Sequence, residues 1–174
     1  MKITNEVSTH LQKHIVYPAN KRETVEACNN MTDVPQDGKT NFEKYLPDWN
    51  YRNAGEVIRG VKIAEALEHV TYPTWKKDLI KAFSKMEDIP KDYREWCDRN
   101  LPDLTYGSRD DVLGMLKGSI HIREHVNYPA RKSTILETCN MMNEVPEIER
   151  DRFERCLPER LYDNADAAIK SCRM

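Results

Sequence analysis

Three histidines are the first residues in this chain whose type and spacing could do chemistry. His14, His69 and His125 open the segments HIVYP, HVTYP and HVNYP, 55 and 56 residues apart. Imidazole is the commonest metal ligand. Metal ligands must converge within a few ångström, usually from close spacing such as i, i+4. His121 and His125 have that spacing, whereas the three recurring histidines are far apart in the chain. A histidine at a helix C-terminus bonds the last carbonyls and is favoured by the dipole. Capping or packing is therefore the reading, and neither a metal site nor a cofactor is expected.

The second group is basic. Lys21 and Arg22, Lys76 and Lys77, and Arg131 and Lys132 each follow a Tyr-Pro pair by a few residues. At a helix start, such cations and the unbonded backbone N–H groups form a cradle for phosphate or carboxylate. The competing reading lays their aliphatic stems over the neighbouring Tyr-Pro, with the charged heads in water. Trp75 directly follows Pro73-Thr74, on the expected first turn of that helix, where an exposed indole would suit a protein interface. Carboxylates such as Asp110-Asp111 and Glu87-Asp88 fall in cap and first-turn contexts that favour acids. No Gly-rich phosphate loop, G-x-S-x-G or H-E-x-x-H motif occurs, so no catalytic residue is assigned.

The elements that must carry these residues repeat. Val34-Pro35, Ile89-Pro90 and Val145-Pro146 keep the register of the histidines. So do Leu46-Pro47, Leu101-Pro102 and Leu157-Pro158, and so do Tyr51, Tyr106 and Tyr162. A fixed period of this length marks one supersecondary unit copied in tandem. The expected fold is all-α: three tandem helical repeats of ~55 residues, at 1–61, 62–117 and 118–174, joined by continuous helices.

Within a copy, helix A ends at the His-Val-x-Tyr run, extended in the first copy by Ile3, Val7, Leu11 and Ile15. Pro18, Pro73 and Pro129 should open helix B, since proline is tolerated at a first helical position. Helix B carries Val25, Cys28 and Met31; Ile80, Phe83 and Met86; Leu136, Cys139 and Met142, a stripe widened by Thr24, Leu79 and Ile135. Asp33, Asp88 and Glu144 precede helix C. Pro47, Pro102 and Pro158 stop it, because a residue before proline leaves helical geometry. Asn53, Ser108 and Asn164 are good N-caps for helix D. Helix D has no stop before the next helix A, so 53–69 and 108–126 each read as one helix, although Gly114 and Gly118 weaken the second. No window alternates with period two, and no sheet is expected.

Composition narrows the function. The chain has 174 residues, a net charge of −2 and 32% charged residues. Its basic and acidic residues balance at seven against seven in 7–61, ten against eleven in 62–117 and nine against ten in 118–174. No copy is a basic module, which weakens any reading as a bulk-charge nucleic-acid binder. No stretch approaches 18 apolar residues, and the N-terminus lacks an apolar signal core, so neither membrane insertion nor secretion is expected. The five cysteines include no C-x-x-C pair. Cys28, Cys97, Cys139 and Cys172 stand where other copies carry Phe, Val or Leu, as small buried hydrophobes of a cytoplasmic protein would.

The segments HVTYPTWKKDLI and LPDLTYGSRDDVL, with YPANKRETV and LPDWNYRNAGEV in the first copy, resemble the uncharacterised bacterial and archaeal domain family DUF2795. The third copy drifts, with LPERLYDNADAAI. The resemblance implies three small helical domains and carries no activity. The sequence therefore points to a non-enzymatic binding or scaffold protein with a protein partner. The alternative is a nucleic-acid binder that uses the basic helix starts.

Overall fold

A computed structural model describes residues 5–32, 34–141 and 147–172. Ile3, Asp33, Met142, Glu144, Val145 and Pro146, all used above to place elements, lie outside these. The described chain is mostly helical and divides into two compact units, Met1–His69 and Val70–Met174. Among the described residues no helix is long and apolar enough to cross a membrane.

The first unit holds α1 (Asn5–His14), α2 (Lys21–Asn29), α3 (Gln36–Tyr45) and α4 (Ala54–Leu67). α1 packs on α2 and α4, and α3 packs on the same two helices. Leu11, Cys28, Phe42, Tyr51, Val57 and Val61 are buried there. The second unit runs β1 (Thr74–Trp75), α5 (Lys76–Ser84), α6 (Lys91–Asn100), β2 (Thr105–Tyr106) and α7 (Arg109–His125). It continues with β3 (Ala130–Arg131), α8 (Lys132–Asn140), α9 (Glu147–Cys156), β4 (Leu161–Tyr162) and α10 (Ala165–Ser171). α7 is its axis, packing on α6, α8, α9 and α10.

The expected punctuation of helices C and D is present. α3 and α6 follow Pro35 and Pro90, and they end at Leu46 and Leu101, which turn to extended backbone before proline. Asn53, Ser108 and Asn164 cap α4, α7 and α10, accepting from Glu56 N at 3.0 Å, Asp111 N at 3.1 Å and Ala167 N at 2.9 Å. α4 and α7 are unbroken over 54–67 and 109–125, and positions 61/62 and 117/118 fall inside them. Gly118, which weakened the reading of α7, is buried there, and an added Cβ would lie 2.5 Å from Phe153 Cε2 on α9. The glycine permits a close helix approach that propensity alone does not register.

Two expectations need correction. Pro18, Pro73 and Pro129 do not open helices; each follows a cis Tyr-Pro bond, and the helices start later, at Lys21, Lys76 and Lys132. The intervening residues pair as short antiparallel ribbons, so the chain is not free of sheet. Thr74 and Trp75 pair with Tyr106 and Thr105, and Ala130 and Arg131 pair with Tyr162 and Leu161. Ala19 and Tyr51 form the corresponding single bridge, through bonds of 2.9 and 2.8 Å. Two residues per strand are too few to show period-two alternation.

The stripe of helix B is also rotated. Thr24 and Cys28, Leu79 and Phe83, and Ile135 and Cys139 are buried, whereas Val25, Ile80 and Leu136 are only half-buried. The buried line follows i, i+4, and Val25, Ile80 and Leu136, read as part of its centre, form its margin.

The recurring tyrosines explain the Leu-Pro landmarks. Tyr51, Tyr106 and Tyr162 are buried and donate their hydroxyls to the carbonyls of Pro47, Pro102 and Pro158 at 2.6, 2.8 and 2.6 Å. Each bond closes the turn between a helix and its ribbon.

Candidate functional site

The basic helix starts sit directly beside the ribbons, and the ribbons decide what each cation does. At α2, Asn20 and Glu23 form a complete capping box. Asn20 Oδ1 accepts from Glu23 N at 3.0 Å, and Glu23 Oε2 accepts from Asn20 N at 2.9 Å. Two of the backbone donors at this helix start are thus occupied by the chain itself. Lys21 and Arg22 line a cleft of about 460 Å³ that also contains Glu26, Glu43 and Asp48. Three carboxylates against two cations make this a mixed-charge groove, not an anion site.

At α5, Lys76 N donates to Leu104 O at 3.0 Å. Its ammonium lies 2.6 Å from Asp98 O and 3.1 Å from Asp98 Oδ1, so it neutralises the C-terminal end of α6. At α8, Lys132 Nζ lies 3.6 Å from Glu159 Oε1. Lys76 and Lys132 are both largely covered, their side chains 16% exposed. Arg22, Lys77 and Arg131 are exposed. Arg131 lies on β3 in the N-cap position of α8, so in register it corresponds to Trp75 and not to a first helical residue. The six cations therefore do not form three equivalent sites.

Trp75 lies on β1, in the N-cap position of α5, rather than on the helix's first turn. Its side chain is 50% exposed, while its neighbour Thr74 is buried. Alternation along a strand turns one member outward. The inward pairs are Ala19 with Tyr51, Thr74 with Tyr106, and Ala130 with Tyr162. Outward, the chain presents Trp75 with Thr105 and Arg131 with Leu161, and Leu161 is 55% exposed. The inward pairs are alike, with a small residue against a tyrosine, and the outward pairs differ in size and charge. Strands too short to be legible in sequence concealed this division.

His14, His69 and His125 are all exposed, and His14 and His125 occupy the last turns of α1 and α7. His10 and His14 also stand four residues apart, a pair legible in the sequence that the reading above, confined to His121 and His125, missed. Their rings stack with centroids 5.1 Å apart.

The cysteines divide. Cys28, Cys97 and Cys139 are buried thiols, and burial pushes Cys139 up to about 11, so it carries little thiolate. Cys172, read as a hydrophobe like Leu116, is instead joined to Cys156 in a disulfide, with Cα atoms 4.5 Å apart. Both partners are buried, which accounts for the apolar register. Their convergence brings the C-terminal end of α10 to the C-terminal end of α9, a tertiary fact.

Polar networks in the second unit are structural. Arg123 Nε donates to Asn100 Oδ1 at 2.7 Å, and Arg123 Nη2 bonds Asp166, linking α7 to α6 and α10. The Arg123 hydrogen bond holds the Asp166 carboxyl below its ordinary pKa, against partial desolvation. Arg152 Nη2 donates to Thr105 O at 3.1 Å, and Nη1 lies 3.3 Å from Asp111 Oδ1, tying α9 to β2 and α7.

Comparison with family models, curated proteins and solved structures finds no match to this chain.

Proposed function

We infer that the chain is an array of three tandem helical units, similar to the DUF2795 domain, that serves as a non-enzymatic intracellular binding or scaffold module. The observation that carries this reading is the ribbon. Its inward pair is nearly constant and its outward pair varies, from Trp75 with Thr105 to Arg131 with Leu161. A duplicated unit that keeps its core and diversifies its exposed pairs presents a different surface from each copy. The large exposed indole of Trp75 suits an anchor for a protein partner.

The nucleic-acid alternative is less well supported. It requires several cations along a backbone, each releasing counterions. Lys76 and Lys132 are instead engaged with carboxylates of this chain, and Lys21 and Arg22 share their groove with three acids.

Site-specific photocrosslinking distinguishes the two readings. A benzophenone amino acid at position 75, and at exposed Lys85 as control, is activated in the source cells. The expected result is a discrete protein adduct from position 75 alone. An adduct with nucleic acid, or equal labelling from both positions, would overturn the scaffold reading.

A further inference from the structure

We propose that Cys156 and Cys172 are a reversible redox latch, which as a disulfide fastens α10 to α9 and as a dithiol lets α10 open. Both residues are buried, and their Cα atoms are 4.5 Å apart, a separation that a disulfide spans without backbone movement. Cys156 ends α9, and Cys172 directly follows α10. Neither cysteine recurs. In register, Cys156 corresponds to Tyr45 and Asn100, and Cys172 to Val61 and Leu116. The other two copies therefore close the same position without a covalent bond. A chain of 174 residues also needs no staple to complete its core. The bond is thus dispensable for the fold, and what it adds is control of one element.

That element is α10. It has seven residues, too few to hold as a helix by itself. It is held by burial of Ala165, Ala168 and Ile169 as it packs on α6 and α7, by Arg123 on Asp166, and by Ser171 Oγ donating to the Tyr162 hydroxyl at 3.2 Å. The disulfide adds a tie to α9 across a sequence separation of 16, which removes open conformations. The co-reactant is a small disulfide such as oxidised glutathione. Because both cysteines are buried, exchange proceeds when α10 opens. One thiolate of the pair attacks the small disulfide, whose S–S bond breaks and releases a first glutathione thiolate. The second protein thiolate attacks the mixed disulfide, forming the Cys156–Cys172 bond and releasing the second glutathione. Two protein thiols are oxidised, one glutathione disulfide is reduced, and the two protons pass to the glutathione thiols. Reduced glutathione reverses both steps.

Glutathione titration of the native full chain tests this. Samples equilibrated from mostly reduced to mostly oxidised glutathione are quenched in acid, alkylated and mapped by mass spectrometry. The expected result is a reversible passage from five thiols to three, with Cys156 and Cys172 joined and Cys28, Cys97 and Cys139 unchanged. Amide hydrogen exchange in 165–171 should be faster by about tenfold or more in the dithiol than in the disulfide. Exchange in α4, in the other unit, should be equal in both states. Cys172→Val installs the residue type of Val61 in the first copy, and should hold α10 at the dithiol rate whatever the glutathione ratio. A pair that stays reduced throughout, or one that glutathione opens only in denaturant, would overturn the proposal. So would equal α10 exchange in the two wild-type states, a comparison that depends on no variant. Exchange that still follows the glutathione ratio in Cys172→Val would overturn it as well.

Discussion

Replacing Gly118 by alanine sets helix propensity against packing, and the structure says which wins. Gly118 lies inside α7, where alanine in place of glycine is worth about 1 kcal/mol to a helix interior. The new methyl would stand 2.5 Å from Phe153 Cε2 and 3.3 Å from Cδ2. Comfortable carbon contacts lie at about 3.5–4.0 Å, so α7 and α9 must separate or the ring must move. Phe153 is fully buried, and overpacking of this kind costs about 1–3 kcal/mol. The net expectation is a loss of about 0–2 kcal/mol. Phe153→Leu removes Cε2 altogether. In that background Gly118→Ala should become neutral or stabilising by up to about 1 kcal/mol. The change of sign is the diagnostic, a coupling that only a double-mutant cycle isolates. The assay is urea unfolding followed by fluorescence in a Trp49→Phe background, leaving Trp75 and Trp96 to report on the unit 70–174. Stabilisation by Gly118→Ala in the otherwise wild-type chain would refute the reasoning. An equal cost beside Phe153 and Leu at that position would refute it too.

Other perturbations follow from the same contacts. Asp166→Asn should cost about 0.2–1 kcal/mol at neutral pH, the discounted value for a partly exposed ion pair. Because the folded Asp166 pKa is depressed, this contribution is complete above about pH 4, near the unfolded value, and is lost as pH falls through the folded one. The difference between wild type and variant should therefore vanish in acid, and a constant difference across denaturation curves from pH 7 to pH 2 would contradict it. Tyr106→Phe leaves the buried Pro102 carbonyl without its donor and should cost about 1–3 kcal/mol, measured by the same urea assay; a cost near zero would deny the turn its lock. Burial pushes Tyr17 and Tyr128 up to about 12, and pushes Tyr51 and Tyr106 well above the ordinary tyrosine value. Unfolded tyrosines ionise at about 10, so stability should fall as pH rises through and beyond that value. Absorbance at 295 nm should find these four of the eight tyrosines still protonated at about pH 11 in folded protein. Complete ionisation before unfolding would show that the phenols are not buried.

Much of the local structure was legible because its causes are local. A proline stops a helix through its own ring, and Asn53, Ser108 and Asn164 cap helices through side chains that reach three residues forward. These signals placed α3, α4, α6, α7 and α10. The register of the tyrosines was equally plain, although their hydrogen bonds to the proline carbonyls were not. What the sequence could not settle were contacts made across the fold. Ribbons two residues long leave no periodic trace, yet they place Trp75 outward and Thr74 inward. The basic pairs looked alike in sequence. Their environments separated them, because folding brings Asp98 to Lys76 and Glu159 to Lys132, while the box that flanks Lys21 and Arg22 is local. Cys156 and Cys172 meet because the end of α10 returns to the end of α9, and Gly118 is required because Phe153 approaches it. Sequence by itself determined where the helices capped by Asn53, Ser108 and Asn164 begin and where those before Pro47 and Pro102 end, since those rules act within a few residues. Tertiary structure decided which side chains are paired, exposed or brought into one cleft, since burial and charge pairing are properties of neighbours in space.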